Sequence, residues 1–158
     1  LKRNIVPPPV YLLLFCGFAW LIDAHLIIGE WVVEQPSFMH TTRKLVCAVL
    51  LLTGLGLDIR SIVQFLAART SFNPLNVNNN RVLVTTGFYR YTRNPMYLGL
   101  ITLLLAWVVY LGNYIGLILI PFLMWVLTRL QIIPEEQALA RIFGAQYLNY
   151  KNRVRRWL

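Results

Sequence analysis

The chain has 158 residues, of which 58% are hydrophobic and only 13% charged, and its formal net charge is +9. A mean hydropathy of +0.58 leaves too little polar surface for an ordinary soluble domain, which makes a membrane protein the first expectation. Long unbroken apolar runs such as Leu98 to Tyr110 exclude the short alternating segments of a barrel and favour helices, which satisfy their backbone hydrogen bonds internally in lipid.

The first span is expected from about Val10 to Ile28, close to the roughly 20 residues that cross a hydrocarbon core. It follows Pro7-Pro8-Pro9 and reaches Asp23 without a convincing cleavage site, so it is expected to stay in the protein. The second is expected from about Leu45 to Ala67, with Asp58 and Arg60 in its later half. Charges at mid-membrane cost roughly 2.5 to 3.5 kcal/mol each. These two are therefore read as a helix end emerging into the headgroup layer. Gly54-Leu55-Gly56 reads as helix packing, because neither a strand nor a third glycine accompanies it.

Residues Ala68 to Thr92 are polar and turn-rich and are expected to leave the membrane as the longest loop. Two further spans are expected, about Met96 to Leu111 and about Tyr114 to Ile133, joined by Gly112-Asn113 in a tight antiparallel hairpin. Pro121 is expected to kink the second of them. Trp107, Tyr110, Tyr114 and Trp125 read as interface anchors and packing residues. Pro134-Glu135-Glu136 then reads as the start of a new helix, with proline at its first position and acids in its first turn. Leu139, Ile142, Phe143, Tyr147, Tyr150 and Val154 would form its apolar face, opposite Arg141, Lys151, Arg153, Arg155 and Arg156. Cys16 and Cys47 lie in apolar runs and read as buried small hydrophobes. His25 and His40 stand far apart with no companion ligands, so no metal is expected.

The loop between the first two spans is expected to hold Arg43 and Lys44 beside Glu30 and Glu34, while the other basic residues lie toward the opposite side. The positive-inside rule then puts both termini and the long loop in the cytoplasm.

Two polar clusters flank the hairpin, and its antiparallel turn would bring them together. The first is Gly87-Phe88-Tyr89-Arg90-Tyr91-Thr92-Arg93-Asn94-Pro95-Met96-Tyr97-Leu98-Gly99. The second is Glu135-Glu136 with Phe143-Gly144, Tyr147, Tyr150 and Arg153. Taken singly, the arginines could be positive-inside residues, the acids a helix start and the tyrosines packing groups. A purely structural role does not require the conjunction of all of them.

In order and spacing, over about Leu83 to Arg153, these clusters resemble the isoprenylcysteine carboxyl methyltransferase and phospholipid methyltransferase superfamily of membrane enzymes. That pattern joins an Arg-His-Pro-x-Tyr-x-Gly element before a helical hairpin to a Glu-Glu pair and an F-G-x-x-Y-x-x-Y segment after it. Asn94 stands where many members have histidine. Asparagine hydrogen-bonds but does not titrate, which tells against proton transfer at that position.

The resemblance implies a single all-α integral membrane helical bundle over residues 1–158, with N-terminal helices to residue 67 and a catalytic core over 68–158. A cytoplasmic loop and a C-terminal amphipathic helix would close the cofactor pocket. It implies S-adenosylmethionine as cofactor and S-adenosylhomocysteine as product. Arg93 and Glu135 would be catalytic, and Tyr89, Arg90, Asn94, Pro95, Tyr97, Gly99 and Glu136 would bind the cofactor. Tyr147, Tyr150 and Arg153 would bind the substrate. The acceptor would be lipophilic, a prenylcysteine-like carboxylate or a lipid amine, with membrane lipids as partners and no nucleic acid.

The chemistry agrees with that assignment: an ammonium, a carboxylate, a sulfonium and an adenine together call for an acid, a base, close backbone approach and an aromatic wall. Two other classes stay open on the sequence. One is an NADPH-dependent reductase of the sterol reductase type, mildly disfavoured by acids where phosphates would want cations. The other is a noncatalytic membrane scaffold.

Overall fold

A computed structural model of the chain describes residues 6–25, 37–67, 82–112 and 114–158. Among them the secondary structure is helical: α1 (Pro8–His25), α2 (Ser37–Ala67), a 3-10 turn (Gly87–Arg90), α3 (Pro95–Leu111), a second 3-10 turn (Tyr114–Ile118), α4 (Leu119–Leu127), a π-helical segment (Thr128–Ile132), α5 (Ile133–Phe143) and α6 (Ala145–Arg153). Pro8–His25, His40–Ala67 and Tyr114–Phe143 are long and apolar enough to cross a membrane, and the shorter apolar Pro95–Leu111 lies among them. The chain is an integral membrane protein, and the expected four-span bundle is the observed one.

α3 is the central helix. It packs against α1, α2 and α4, and Leu104 and Ala106 are fully buried while Tyr97, Leu100, Ile101 and Val108 are nearly so. Leu123, Leu127 and Ile132 complete the core from the following helices, and Phe15 and Ala19 contribute from α1. The outer faces of α1 and α2 instead expose Leu13, Leu14, Phe18, Leu45, Val49, Leu52 and Leu66. Such apolar surface is costly in water and needs no cover in lipid. Trp107, expected at an interface, donates from Nε1 to the Cys16 carbonyl at 3.0 Å and ties α3 to α1.

The α2–α3 contact is the most extensive among the described elements, and glycine brings the two backbones together. A Cβ on Gly54 would sit 3.1 Å from the Gly99 carbonyl oxygen, and one on Gly99 would sit 3.0 Å from the Gly54 carbonyl oxygen. Small residues facing one another let helix backbones approach without losing dispersion contacts to a void.

Several boundaries differ from expectation, each for a local reason. α2 starts at Ser37 rather than Leu45, because a helix does not stop where its apolar run stops. At 1.5 Å per residue its 31 residues span roughly 46 Å, more than a hydrocarbon core of about 30 Å. Arg43 and Lys44 are therefore helical rather than in a loop. The Arg43 guanidinium lies against Gly112, at the C-terminal end of α3, where a cation suits the helix dipole. Gly112 ends α3 with φ 76° and donates to the carbonyls of Val108 and Val109, the left-handed cap that glycine provides without strain. Asn113, Leu26 to Ile28 and the first part of the expected long loop, 68–81, lie outside the described residues.

α2 continues nine residues beyond Asp58 to Ala67, and the Asp58 carboxylate lies against Gly99. Pro121 does not kink a helix interior. It occupies the first turn of α4, behind the 3-10 turn, where its missing N–H has no intrahelical acceptor to lose.

Pro134 stands at the start of α5 with Glu135 and Glu136 in its first turn, as expected. The π segment leads without a break into α5, and its wider turns already interrupt the regular ladder in which proline would be a defect. The amphipathic helix expected from Pro134 onward is instead two helices. Gly144, at φ 51° and ψ −125°, separates α5 from α6, and the chain turns so that Tyr147 and Tyr150 are buried. Val154 leaves the helix in extended conformation.

Candidate functional site

The starts of α1 and α3, the end of α2 and the π segment meet at one end of the bundle. Gln131, buried in the π segment, donates from Nε2 to the Val6 carbonyl at 2.6 Å. Phe65 near the end of α2 meets Tyr89 edge-on, with ring centroids 5.5 Å apart. The two sequence clusters converge at this end.

The C-terminal tail joins them by backbone pairing. Thr92 and Arg155 form an isolated parallel bridge, and the Arg93 amide donates to the Arg155 carbonyl at 3.0 Å. The Arg156 carbonyl accepts from both Thr92 Oγ1, at 3.1 Å, and Asn94 Nδ2, at 2.9 Å. Asn94 thus works as a structural donor, a role asparagine fills without titrating. Tyr150 in α6 donates its hydroxyl to the Tyr89 carbonyl at 2.7 Å, which holds the 3-10 turn against the tail helix.

Within this frame the charged groups form two layers. In the outer layer Glu136 receives Arg93 Nη2 at 3.1 Å and Arg156 from both Nε, at 3.0 Å, and Nη2, at 2.9 Å. The Arg156–Glu136 pair is the two-pronged arrangement that gives a guanidinium both strength and direction. Its hydrogen bond with Glu136 raises the pKa of Arg156 above its ordinary value. The side chains of Arg93 and Glu136 are each only 9% exposed.

Arg93 nevertheless has two buried donors, Nε and Nη1, that find no acceptor among the described residues. A guanidinium so placed leaves hydrogen bonds unmade that a carboxylate could complete. Beside it stand Tyr147 and Tyr150. Burial pushes the Tyr147 hydroxyl up to about 12 and also raises those of Tyr150 and Tyr89. All three are neutral phenols at physiological pH.

In the inner layer Tyr97 donates to Glu135 Oε1 at 2.6 Å, and Glu135 and Asp58 each stand within electrostatic range of Tyr89. Arg93 therefore meets Glu136, and Glu135 pairs with Tyr97. Pro95 is the buried first residue of α3. The close approach that Gly99 permits is that of α2 and Asp58. Arg90 is exposed at the end of the 3-10 turn, and Arg153, also exposed, donates to Asn149 of its own helix at 3.3 Å. The described contacts bring neither of them into the two layers.

The sequence reading missed Thr92, Arg156 and Asp58 as members of the site. Arg156 looked like one more cation in a basic tail, and only its pairing with Glu136 sets it apart. Asp58 carried a signal, an acid within an apolar helix, that was assigned to the helix end. No group of three or more metal-ligating side chains occurs among the described residues.

Known proteins agree with this architecture. The family model described as phospholipid methyltransferase matches residues 42–146. Over 148 residues the chain is 31% identical to the protein-S-isoprenylcysteine O-methyltransferase of Saccharomyces cerevisiae, covering 87% of this chain and 62% of the yeast protein. It is 32% identical over 110 residues to the protein of the same name from Rattus norvegicus, covering 68% of this chain and 38% of the rat protein. An uncharacterized Haemophilus influenzae protein matches along 100% of its own length, at 43% identity over 63 residues. The chain thus spans less than two thirds of the length of the two named enzymes. With the family match running through α2, α3, α4 and α5 and including Arg93, Glu135 and Glu136, the chain belongs to the phospholipid methyltransferase family, in the superfamily that unites isoprenylcysteine and phospholipid membrane methyltransferases.

Proposed function

We propose that the protein transfers the methyl group of S-adenosylmethionine to a lipophilic acceptor at the cytoplasmic face of its membrane. The observation that carries this reading is Arg93, a buried guanidinium with two donors unpartnered among the described residues, beside the carboxylate of Glu136 and the phenol of Tyr147. The residues fit the cofactor. Arg93 Nε and Nη1 suit the carboxylate of its amino-acid end, Glu135 suits a cationic group, and the buried phenols of Tyr89, Tyr97 and Tyr147 offer wall and hydrogen bonds. When bound, S-adenosylmethionine supplies a methyl group on a sulfonium that passes by in-line displacement to the acceptor, leaving S-adenosylhomocysteine.

The chain's own contribution is alignment. Such positioning is worth roughly 7 to 11 kcal/mol of barrier when the reacting atoms are held in line. Arg93 is itself aimed by Glu136, and Glu136 is braced from the far side by Arg156. Tyr97 fixes the orientation of Glu135. An acceptor carboxylate needs no base, whereas a protonated amine must first lose a proton, and the carboxylate of Glu135 is the base we assign to that step. The names of the yeast and rat relatives support a prenylcysteine-like carboxylate, and the family description supports a lipid amine. Exposed Arg90 and Arg153 suit the anionic headgroup layer. The weighting of basic residues away from the α1–α2 connection supports a cytoplasmic site and cytoplasmic termini.

Full-length protein purified in detergent is expected to bind S-adenosylhomocysteine in a calorimetric titration. Arg93→Ala and Glu135→Gln should each weaken binding by about tenfold or more, the usual worth of a hydrogen bond to a charged group. Undiminished binding in both variants would remove these residues from the site.

A further inference from the structure

One face of α2 is polar where it meets the site. Gly54, Asp58, Ser61 and Phe65 recur at spacings of four, three and four residues, which stacks them on one side of a helix. Each makes a contact toward α3 or the turn before it. Gly54 faces Leu103 and Gly99, Asp58 lies against Gly99, and Phe65 meets Tyr89. Ser61 is fully buried, donates to the Leu57 carbonyl at 2.6 Å and stands within hydrogen-bond reach of the Tyr89 hydroxyl. Gln64, beside this stripe, lies against Gly87.

Two oxygens on this face, Asp58 Oδ1 and Gln64 Oε1, are buried and accept no hydrogen bond among the described residues. A carboxylate inside a membrane-embedded helix is costly unless something compensates it, so it marks function before structure. The helix–helix packing does not require it, since Gly54 and Gly99 already make the close approach. Among the described residues neither Asp58 nor Glu135 has an ion pair, and Arg93 and Arg156 both go to Glu136. The inner layer therefore holds two acids, phenols and a hydroxyl, with no basic side chain paired to them. The outer layer holds the two guanidiniums. That separation of charge repels an anionic group from the inner end and attracts a cationic one.

Resting on the methyltransferase reading above, we propose that Asp58 is a binding residue of the site that, together with Glu135, receives an alkylammonium group. On this proposal the α2 face binds ligand as well as packing against α3. Two ligands carry such a group: the amino-acid end of the cofactor, and an amine-bearing lipid acceptor. Both make the same contact, a charge-assisted N–H to Asp58 Oδ1 beside Gly99.

The test uses full-length protein in detergent and two probes, S-adenosylhomocysteine and its deaminated analogue, which lacks only the ammonium. If Asp58 holds the cofactor's ammonium, wild type should prefer the amino form by about tenfold or more, and Asp58→Asn should bind the two probes nearly equally. Because this is a ratio within one variant, a general loss of affinity from imperfect folding does not imitate it. If Asp58 instead holds the acceptor, Asp58→Asn should keep the wild-type ratio but raise KM for an ethanolamine phospholipid about tenfold or more, with KM for the methyl donor unchanged. Either result supports the proposal. Asp58→Asn that leaves both the probe ratio and the lipid KM at wild-type values overturns it while the methyltransferase reading stands. Wild type that binds neither probe overturns that reading, and this proposal with it.

Discussion

Replacing Glu136 with alanine is expected to destabilise the protein by about 3 kcal/mol or more, because it strands a buried guanidinium without a counter-charge. The Arg93 guanidinium, 9% exposed in its side chain, would lose its counter-charge and keep only the Tyr147 hydroxyl beside it, and Arg156 would lose both of its prongs. The damage should reach beyond the pair. Arg156 belongs to the tail whose carbonyls receive Thr92, Arg93 and Asn94, so freeing its side chain loosens the backbone bridge as well. Thermal unfolding in detergent should show a fall of several degrees, and hydrogen exchange should speed up at residues 92–94 and 154–157. Arg156→Ala should cost less, since its partner keeps Arg93 and its own side chain is 34% exposed. Equal stability of Glu136→Ala and wild type would mean that Arg93 finds another acceptor.

Gly99→Val is expected to separate α2 from α3. Even a Cβ at this position would lie 2.7 Å from Asp58 Cγ and 3.0 Å from the Gly54 carbonyl oxygen. The second neighbour is backbone, so no side-chain rotation relieves it. Overpacking of this kind typically costs about 1 to 3 kcal/mol, and here it also pushes Asp58 away from the site. Gly54→Ala, at the facing position, should be milder, because its nearest neighbour at 2.9 Å is the end of the Leu103 side chain, which can move. A melting series should therefore rank wild type above Gly54→Ala above Gly99→Val. The reverse order of the two variants would mean that the α2–α3 contact does not rest on Gly99.

The bundle was legible because hydrophobic length is a strong signal: each apolar run of about 16 to 23 residues holds helix in the structure. Helix ends were less legible. Arg43 and Lys44 look like loop residues on a hydropathy scale, yet nothing in Thr42-Arg43-Lys44 breaks a helix, and α2 runs through them. Pro121 was read as a kink and Pro134 as a helix start, and both stand where the hydrogen-bond ladder is already irregular. The break at Gly144 depends on a positive φ that composition does not reveal.

At the site, the residue types were readable and their pairing was not. Adjacent acids such as Glu135 and Glu136 point different ways from a helix, so one pairs with Tyr97 and the other with Arg93. The bridge between Thr92 and Arg155 joins segments far apart in sequence through backbone groups every residue possesses, and it leaves no trace in side-chain chemistry. Arg156 was hidden for the same reason.

The central claim is that the two charged layers form one methyl-transfer site, and transfer itself tests it most directly. Full-length protein in lipid vesicles should move label from methyl-labelled S-adenosylmethionine into a lipid-extractable product, and Arg93→Ala should lower that rate by about a hundredfold, as loss of an alignment contact at a reacting centre does. Label that never enters the lipid fraction, or that enters it as fast with Arg93→Ala as with wild type, would contradict the account.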